Sequence, residues 1–343
     1  MDHFIDAAED LKNGRASGVT QADFDLFFDV LQNKFRQLHA KSTVNLDNIE
    51  TVFGLVEMAR LLGRLPGFDK TQIEALATAV RTVLFETVML TGKFVFADRG
   101  YVPPKDYLSV AGHLDHERQN RGADRLVFIT FNYDLGLDFA LHWSNFSIDY
   151  GLGDPVPSEP VQLYKLHGSL NWISCKVCHK IRAVAWDRIS QAYAGTRSLG
   201  ATRAKFPIDP RRAYQGLGPH CPGDLLPFEI AMVPPSWNKT QYWQQLGGVW
   251  SAAARELSAA HEITLIGYSL PDSDSFFRDL LALGLEGETR LRAFTVVNPD
   301  PQVAPKLERL LGPEVKPRFK ADLRKFEDWV DATYGASPRI DFL

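Results

Sequence analysis

Residues 125 to 143 read RLVFITFNYDLGLDFALHW. The run from Leu126 to Phe131 is short, apolar and rich in β-branched and aromatic side chains, and it stops at the polar Asn132 and Asp134. A strand with one wet face alternates apolar with polar residues, so this continuous run predicts a strand covered on both faces. The residues from Leu135 onward predict a helix, with Asp134 placed to cap it. The same profile of apolar run and polar end recurs in VQLYKLH (161–167), FEIAMVPP (228–235), HEITLIGYSL (261–270) and LRAFTVVNPD (291–300). Helical patterns stand between several of them, among them KTQYWQQLGGVWSAAARELSAA (239–260) and SDSFFRDLLALGL (273–285). Strands alternating with helices predict an α/β fold with a doubly wound, mainly parallel sheet. Open sheets of that kind bind ligands beyond the carboxyl ends of their strands. The residues to inspect are therefore Asn132 and Asp134, His167 and Ser169, Gly267 and Ser269, and Asn298 and Asp300.

Upstream of residue 125 the pattern is helical, with no β signal of comparable strength. In NLDNIETVFGLVEMARLL (45–62) the residues Ile49, Val52, Phe53, Val56 and Ala59 form one stripe behind Asp47 as cap. In TQIEALATAVRTVLFETVM (71–89) Thr71 and Glu74 have capping-box spacing ahead of Ile73, Leu76, Ala77, Val80 and Leu84. Residues 172–227 carry all three cysteines, several prolines and glycines, and little periodicity, and are expected to form a small inserted module. The expectation is one domain over 1–343: a helical segment over 1–123, a core over 124–171 and 228–320, the insertion, and a C-terminal helix and tail over 321–343.

Composition narrows the class. A chain of 343 residues, 45% hydrophobic and 11% aromatic, can bury a substantial core. With 38 basic and 42 acidic residues the formal charge is -4, which argues against general nucleic-acid binding through phosphate neutralisation. Locally, residues 179–220 hold eight Lys or Arg against Asp187 and Asp209, a balance of +6. This stretch is either a solvated basic loop or a contact for an anion or partner. Three cysteines are too few for a disulfide scaffold and fit a reducing, cytoplasmic setting. No stretch approaches the roughly 18 apolar residues of a membrane span, and MDHFIDAAEDLKNG lacks the pattern of a signal peptide.

Taken in order, ITFNYD, KLHGSLNW, VPPSWNK, LIGYSLPDSD and VVNPD resemble the bacterial sirtuin-like proteins, distant relatives of the NAD-dependent deacylases. Many of those proteins cleave NAD, often in anti-phage defence. The resemblance covers roughly residues 124 to 300 and implies a Rossmann-like core. It implies that Asn132 holds the nicotinamide ribose and orders the pocket, with Asp134 beside it. An amide suits that task because it donates and accepts without a charge that competes with an oxocarbenium ion. It implies that His167 is the general base on a ribose hydroxyl or a water, a role fitted to imidazole, which titrates near neutral pH. Gly168 would let the backbone approach the ligand, with Ser169 alongside. Gly267 and Ser269 stand where the family has its Gly-Thr-Ser-Leu turn, and Asn298 where an asparagine meets the adenine ribose. From the residues alone, each is equally a turn former. For Pro271, Asp272, Ser273 and Asp274 a helix cap is the expected role.

Cys175, Cys178 and Cys221 resemble the sirtuin zinc module, which implies a structural zinc with His220, His179 or Asp224 as fourth ligand. The alternative is a vestigial loop with reduced thiols. Sirtuin-like proteins also open with a strand and a Gly-Ala-Gly-x-Ser loop that cradles the diphosphate. This sequence has no such loop, and DHFIDAAEDL (2–11) resembles the segment that comes after it in the family. Either the pattern begins upstream of residue 1, or the cradle is lost, the sheet lacks a central strand and NAD binding is weak. The expected activity is NAD hydrolysis with release of nicotinamide, ahead of protein deacylation, since no acyl-lysine channel is recognisable. The alternative is a non-catalytic NAD- or nucleotide-sensing or scaffolding module. The partners expected are NAD, a protein partner or a second copy, no membrane, and nucleic acid only through the basic loop.

Overall fold

The computed structural model describes residues 4–14, 21–39, 42, 44–97, 100–119, 125–154, 159–175, 177–193, 204–213, 229–233, 240–270, 275–287 and 290–335. The chain runs α1 (Phe4–Gly14), α2 (Gln21–Asp29), a π-helical turn (Val30–Phe35), α3 (Arg36–His39), α4 (Ile49–Leu62), α5 (Lys70–Thr91), β1 (Lys93–Ala97), β2 (Gly100–Val102) and α6 (Lys105–Gln119). It continues with β3 (Val127–Thr130), α7 (Gly136–Trp143), β4 (Ile148–Asp149), β5 (Val161–Lys165), β6 (Gly168–Ser174), β7 (Ile181–Ala183), α8 (Trp186–Tyr193), β8 (Ala204–Pro207) and β9 (Glu229–Met232). The last elements are α9 (Thr240–Ala259), β10 (Glu262–Ile266), α10 (Ser275–Gly284), β11 (Ala293–Val297), α11 (Val303–Glu308), β12 (Phe319–Asp322) and α12 (Phe326–Tyr334). Among the described residues no helix is long and apolar enough to cross a membrane.

The protein is mixed α/β with parallel sheets, but the parallel strands do not form one continuous ladder. They make two sheets of three, ordered β3-β5-β4 and β10-β11-β12. The two share their helical layers. On one face Phe128 of β3 and Ile266 of β10 pack into one cluster with Val110 of α6 and Val330 of α12. On the other face α9 packs against α10, and Phe131 and Leu257 belong to the clusters of both sheets. The neighbouring edges are thus β3 and β10, and each has a ladder partner on one side only among the described residues. β3 is half-exposed along its whole length although its sequence is that of an interior strand.

Three expectations are corrected. Residues 93–102 are strands rather than helix, because β1 pairs antiparallel with β2 and with β8, a partner more than a hundred residues away. The run FEIAMVPP supplies β9, which pairs antiparallel with β6 rather than joining the parallel strands, and β6 itself begins immediately after His167. Helix starts shift by one or two residues. Asn48, not Asp47, caps α4, its Oδ1 accepting from the amides of Glu50 at 2.7 Å and Thr51 at 3.4 Å. Asp69 and Gln72, not Thr71 and Glu74, form the box on α5, with bonds of 2.8 and 2.9 Å. Asn48 and Asp69 have the extended backbone of a cap, which lets the side-chain oxygen reach the first free amides. The helical segment packs through Phe24, Phe27, Phe28, Val52, Phe53 and Val80 into one cluster that also takes in Tyr133, Leu135 and Leu170.

Unpaired edges open locally at low free energy. Hydrogen exchange read residue by residue is expected to show the amides of β3 and β10 that point away from β5 and β11 exchanging about tenfold faster than those pointing toward them. Equal protection on both sides of either strand contradicts the two-sheet arrangement.

Candidate functional site

The carboxyl ends of β3, β5, β10 and β11 come together, and aromatic rings make the junction. Phe131, just past β3, lies edge-on to His167 at 4.9 Å between ring centroids and stacks on Tyr268, just past β10, at 5.1 Å. Phe277 of α10 and Trp250 of α9 approach the same ring at 5.8 and 6.4 Å. The main-chain carbonyl of Tyr268 accepts a hydrogen bond from Asn298 Nδ2 at 3.3 Å. A continuous path of contacts therefore joins His167, Phe131, Tyr268 and Asn298.

His167 sits in the turn between β5 and β6. The residue is 7% exposed, and its ring lies against those of Phe131 and Tyr133, the residues that flank Asn132. The backbone around it is pinned. Its carbonyl accepts from Val233 N at 2.8 Å, and Tyr133 Oη donates to the Val233 carbonyl at 2.5 Å. Gly168 has φ +81°, and a Cβ added there would stand 2.0 Å from the carbonyl oxygen of Ala231. Only glycine lets β6 leave His167 in this direction against β9. Ser169 is wholly buried, and its hydroxyl donates to the Tyr133 carbonyl at 3.4 Å, beside the Leu170 amide at 3.1 Å on the same oxygen.

Asn132 is exposed at the tip of the loop, its amide donating to Thr130 Oγ1 at 3.0 Å. Asp134 is half-buried and accepts from Gly136 N at 2.8 Å in a local turn, but the cap position of α7 falls on Leu135 and has no side-chain bond, so Asp134 is not the helix cap expected of it. On the other sheet, Gly267 has φ +68° with no atom within 4 Å of an added Cβ, so its surface is open. Ser269 is exposed, and Leu270 after it is buried with φ 52°, a left-handed conformation uncommon for a branched residue. Asn298 is buried, and besides the bond to Tyr268 its Oδ1 accepts from Asp300 N at 2.9 Å. The residues Pro271, Asp272, Ser273 and Asp274 lie outside the described residues.

The cysteine module is only partly described. Cys175 is buried, and its Sγ accepts from the amides of Val177 and Cys178, each at 3.4 Å, while Cys178 is exposed. Cys221, His220 and Asp224 lie outside the described residues. Among the described residues no three His, Cys, Asp or Glu side chains cluster as metal ligands. The two amide bonds to Cys175 suit a thiolate, but the described donors do not by themselves make a zinc site. A polar pocket beside this module, lined by Cys178, His179, Lys180 and Gln245, is separate from the strand ends. Of the basic residues between 179 and 220, Arg211 is engaged by Glu86 at 2.5 Å and Asp209 at 2.8 Å. Burial pushes the Glu86 carboxyl up, with Arg211 opposing.

Several residues of the site were not singled out from sequence: Phe131, Tyr133, Tyr268 and Lys165. Their signal was present. Two aromatics flank Asn132, and a lysine interrupts the apolar run VQLYKLH.

No family model matches the sequence, and no curated protein matches it. Among solved structures, a Sir2 homolog in complex with NAD is similar at 17% identity over 76% of this chain and 73% of that one, with a TM-score of 0.37. A structure bearing on the mechanism and regulation of Sir2 enzymes is similar at 15% identity, over 68% of this chain and 67% of that one, with a TM-score of 0.30.

The two glycines separate structure from access. Gly168→Ala is expected to cost about 3 kcal/mol in urea denaturation, from left-handed strain plus the clash with Ala231. Gly267→Ala has strain alone and is expected to cost about 1 kcal/mol. Equal losses would show that the carbonyl of Ala231 does not crowd Gly168.

Proposed function

We propose that the strand-end cluster binds NAD and that the chain is a sirtuin-like NAD glycohydrolase that releases nicotinamide. The observation that supports this reading is the path of contacts from His167 through Phe131 and Tyr268 to Asn298, with Asn132, Gly267 and Ser269 next in sequence to those rings. Those are the positions at which the sequence resembles sirtuin-like proteins. In the proposed reaction the bond between the nicotinamide nitrogen and the ribose anomeric carbon breaks, and its electron pair leaves with nicotinamide. Water adds to the anomeric carbon, and its proton passes to His167. Asn132, exposed beside the imidazole's aromatic walls, holds the ribose and the water. Asp134 braces the loop, Gly168 and Ser169 fix the turn, Gly267 and Ser269 admit the dinucleotide, and Asn298 approaches the adenine ribose. Burial of His167 keeps bulk water away from the reacting atoms. A role in anti-phage defence and a structural zinc on Cys175, Cys178, Cys221 and His220 belong to the same proposal, as does a protein partner or second copy.

A second reading, an NAD sensor or scaffold without turnover, is favoured by one observation: His167 is buried, with Phe131 and Tyr133 against its ring. Titration calorimetry separates the two, because binding without product marks the sensor.

Purified protein incubated with NAD is expected to release nicotinamide, and His167→Ala to lower the rate by about 100-fold or more, the range for loss of a general base. Equal output from the two proteins would remove His167 from the mechanism.

A further inference from the structure

Lys165 is the one charged residue in the apolar stretch that leads into His167, and it is 1% exposed. It ends β5. Its Nζ donates to Asp138 Oδ2 in α7 at 2.9 Å and to the main-chain carbonyl of Asp134 at 2.5 Å. Asp138 is 2% exposed, and its other oxygen accepts from Tyr150 Oη at 2.7 Å. Taking an ion pair out of water costs several kcal/mol per ion, and an apolar pair of similar volume is often as stable. Stability is therefore a poor reason for this lysine. What an apolar pair could not do is hold the carbonyl of Asp134, which lies past the end of β3 where the ladder to β5 has stopped.

That carbonyl belongs to the loop that carries Asn132. On one side the loop is tied to β6 by Ser169 and Leu170 on the Tyr133 carbonyl. On the other side it is tied to β5 by Lys165. A charge-assisted bond is about twice as strong as a neutral one and fixes the peptide plane it accepts from. We propose that Lys165 is a positioning residue: neutralised by Asp138, its ammonium holds the Asp134 carbonyl and so sets the Asn132 loop against His167. The catalytic half of this inference rests on the proposed NAD reaction. The loop-holding half does not.

The test compares wild type with Lys165→Met/Asp138→Leu/Tyr150→Phe, which removes the buried charges together with the phenol they would orphan. The triple variant is expected to keep a wild-type thermal midpoint to within a few degrees, as apolar replacement of a buried pair allows. Its amides from 131 to 136 are expected to exchange about tenfold faster, the worth of one bond to a charged donor, with those of β11 unchanged. Nicotinamide release is expected to fall about tenfold in kcat with a smaller change in KM. Unchanged protection of 131–136 in the folded triple variant overturns the proposal. Wild type that turns over no NAD overturns the proposed function instead, and the exchange result then decides the loop alone. If the triple variant does not fold, Lys165→Gln/Asp138→Asn takes its place. It removes the charge from the donor and shortens its reach to the carbonyl, so faster exchange of 131–136 supports the proposal and unchanged protection overturns it, as in the triple variant.

Discussion

The backbone just beyond β3 leaves its ladder while still inside the protein, and its carbonyls must find partners other than a neighbouring strand. Unpaired polar groups in such a place cost as much as lost hydrogen bonds. Two carbonyls in a row solve the problem differently. That of Tyr133 takes Ser169 Oγ and the Leu170 amide from β6, and that of Asp134 takes the ammonium of Lys165 from β5. Because β5 and β6 are joined through His167 and Gly168, satisfying this loop also fixes the imidazole. The same turn is held from outside by β9, whose following residue Val233 bonds both to His167 and to Tyr133. The local geometry of the candidate site is thus a consequence of polar satisfaction.

Aromatic packing extends this from one sheet to the other. Phe131 touches His167 on its own sheet and Tyr268 on the next, with Phe277 and Trp250 closing around it. Rings that meet edge-on or offset gain attraction beyond the area they bury. Among the described residues no ladder joins β3 to β10, so this stack and the shared helical layers carry the connection. The candidate binding surface lies at that junction, where Gly267 stays open and Asn298 braces the turn through the Tyr268 carbonyl. A junction made of rings rather than backbone bonds can adjust by small rotations when a ligand enters.

The strands of the core were legible because each is a short apolar run ending in polar residues, and period and composition carry that signal locally. The helical stripes were legible too, though Asn48 and Asp69 took the caps expected of Asp47 and Thr71, since capping depends on backbone angles that spacing alone does not set. Less visible were the strands at 93–102. Their pairing with β8 spans more than a hundred residues, and neither partner has a pattern that demands it. Lys165 was written plainly in VQLYKLH, yet a lysine in sequence looks like a surface residue until its carboxylate and carbonyl partners are known.

What the amino-acid order determined by itself is the class of fold and the positions at which strands stop: Asn132, His167, Gly267 and Asn298 mark the ends of hydrophobic runs. Hydrophobic periodicity is a property of neighbouring residues, so it survives without coordinates. What only tertiary structure decided is that those ends meet, that the parallel strands divide into two sheets, and that Asn298 and Ser169 spend their polar groups on the backbone. Those outcomes depend on pairings between distant segments, whose free energy comes from mutual burial and hydrogen bonding and leaves no local mark in either segment.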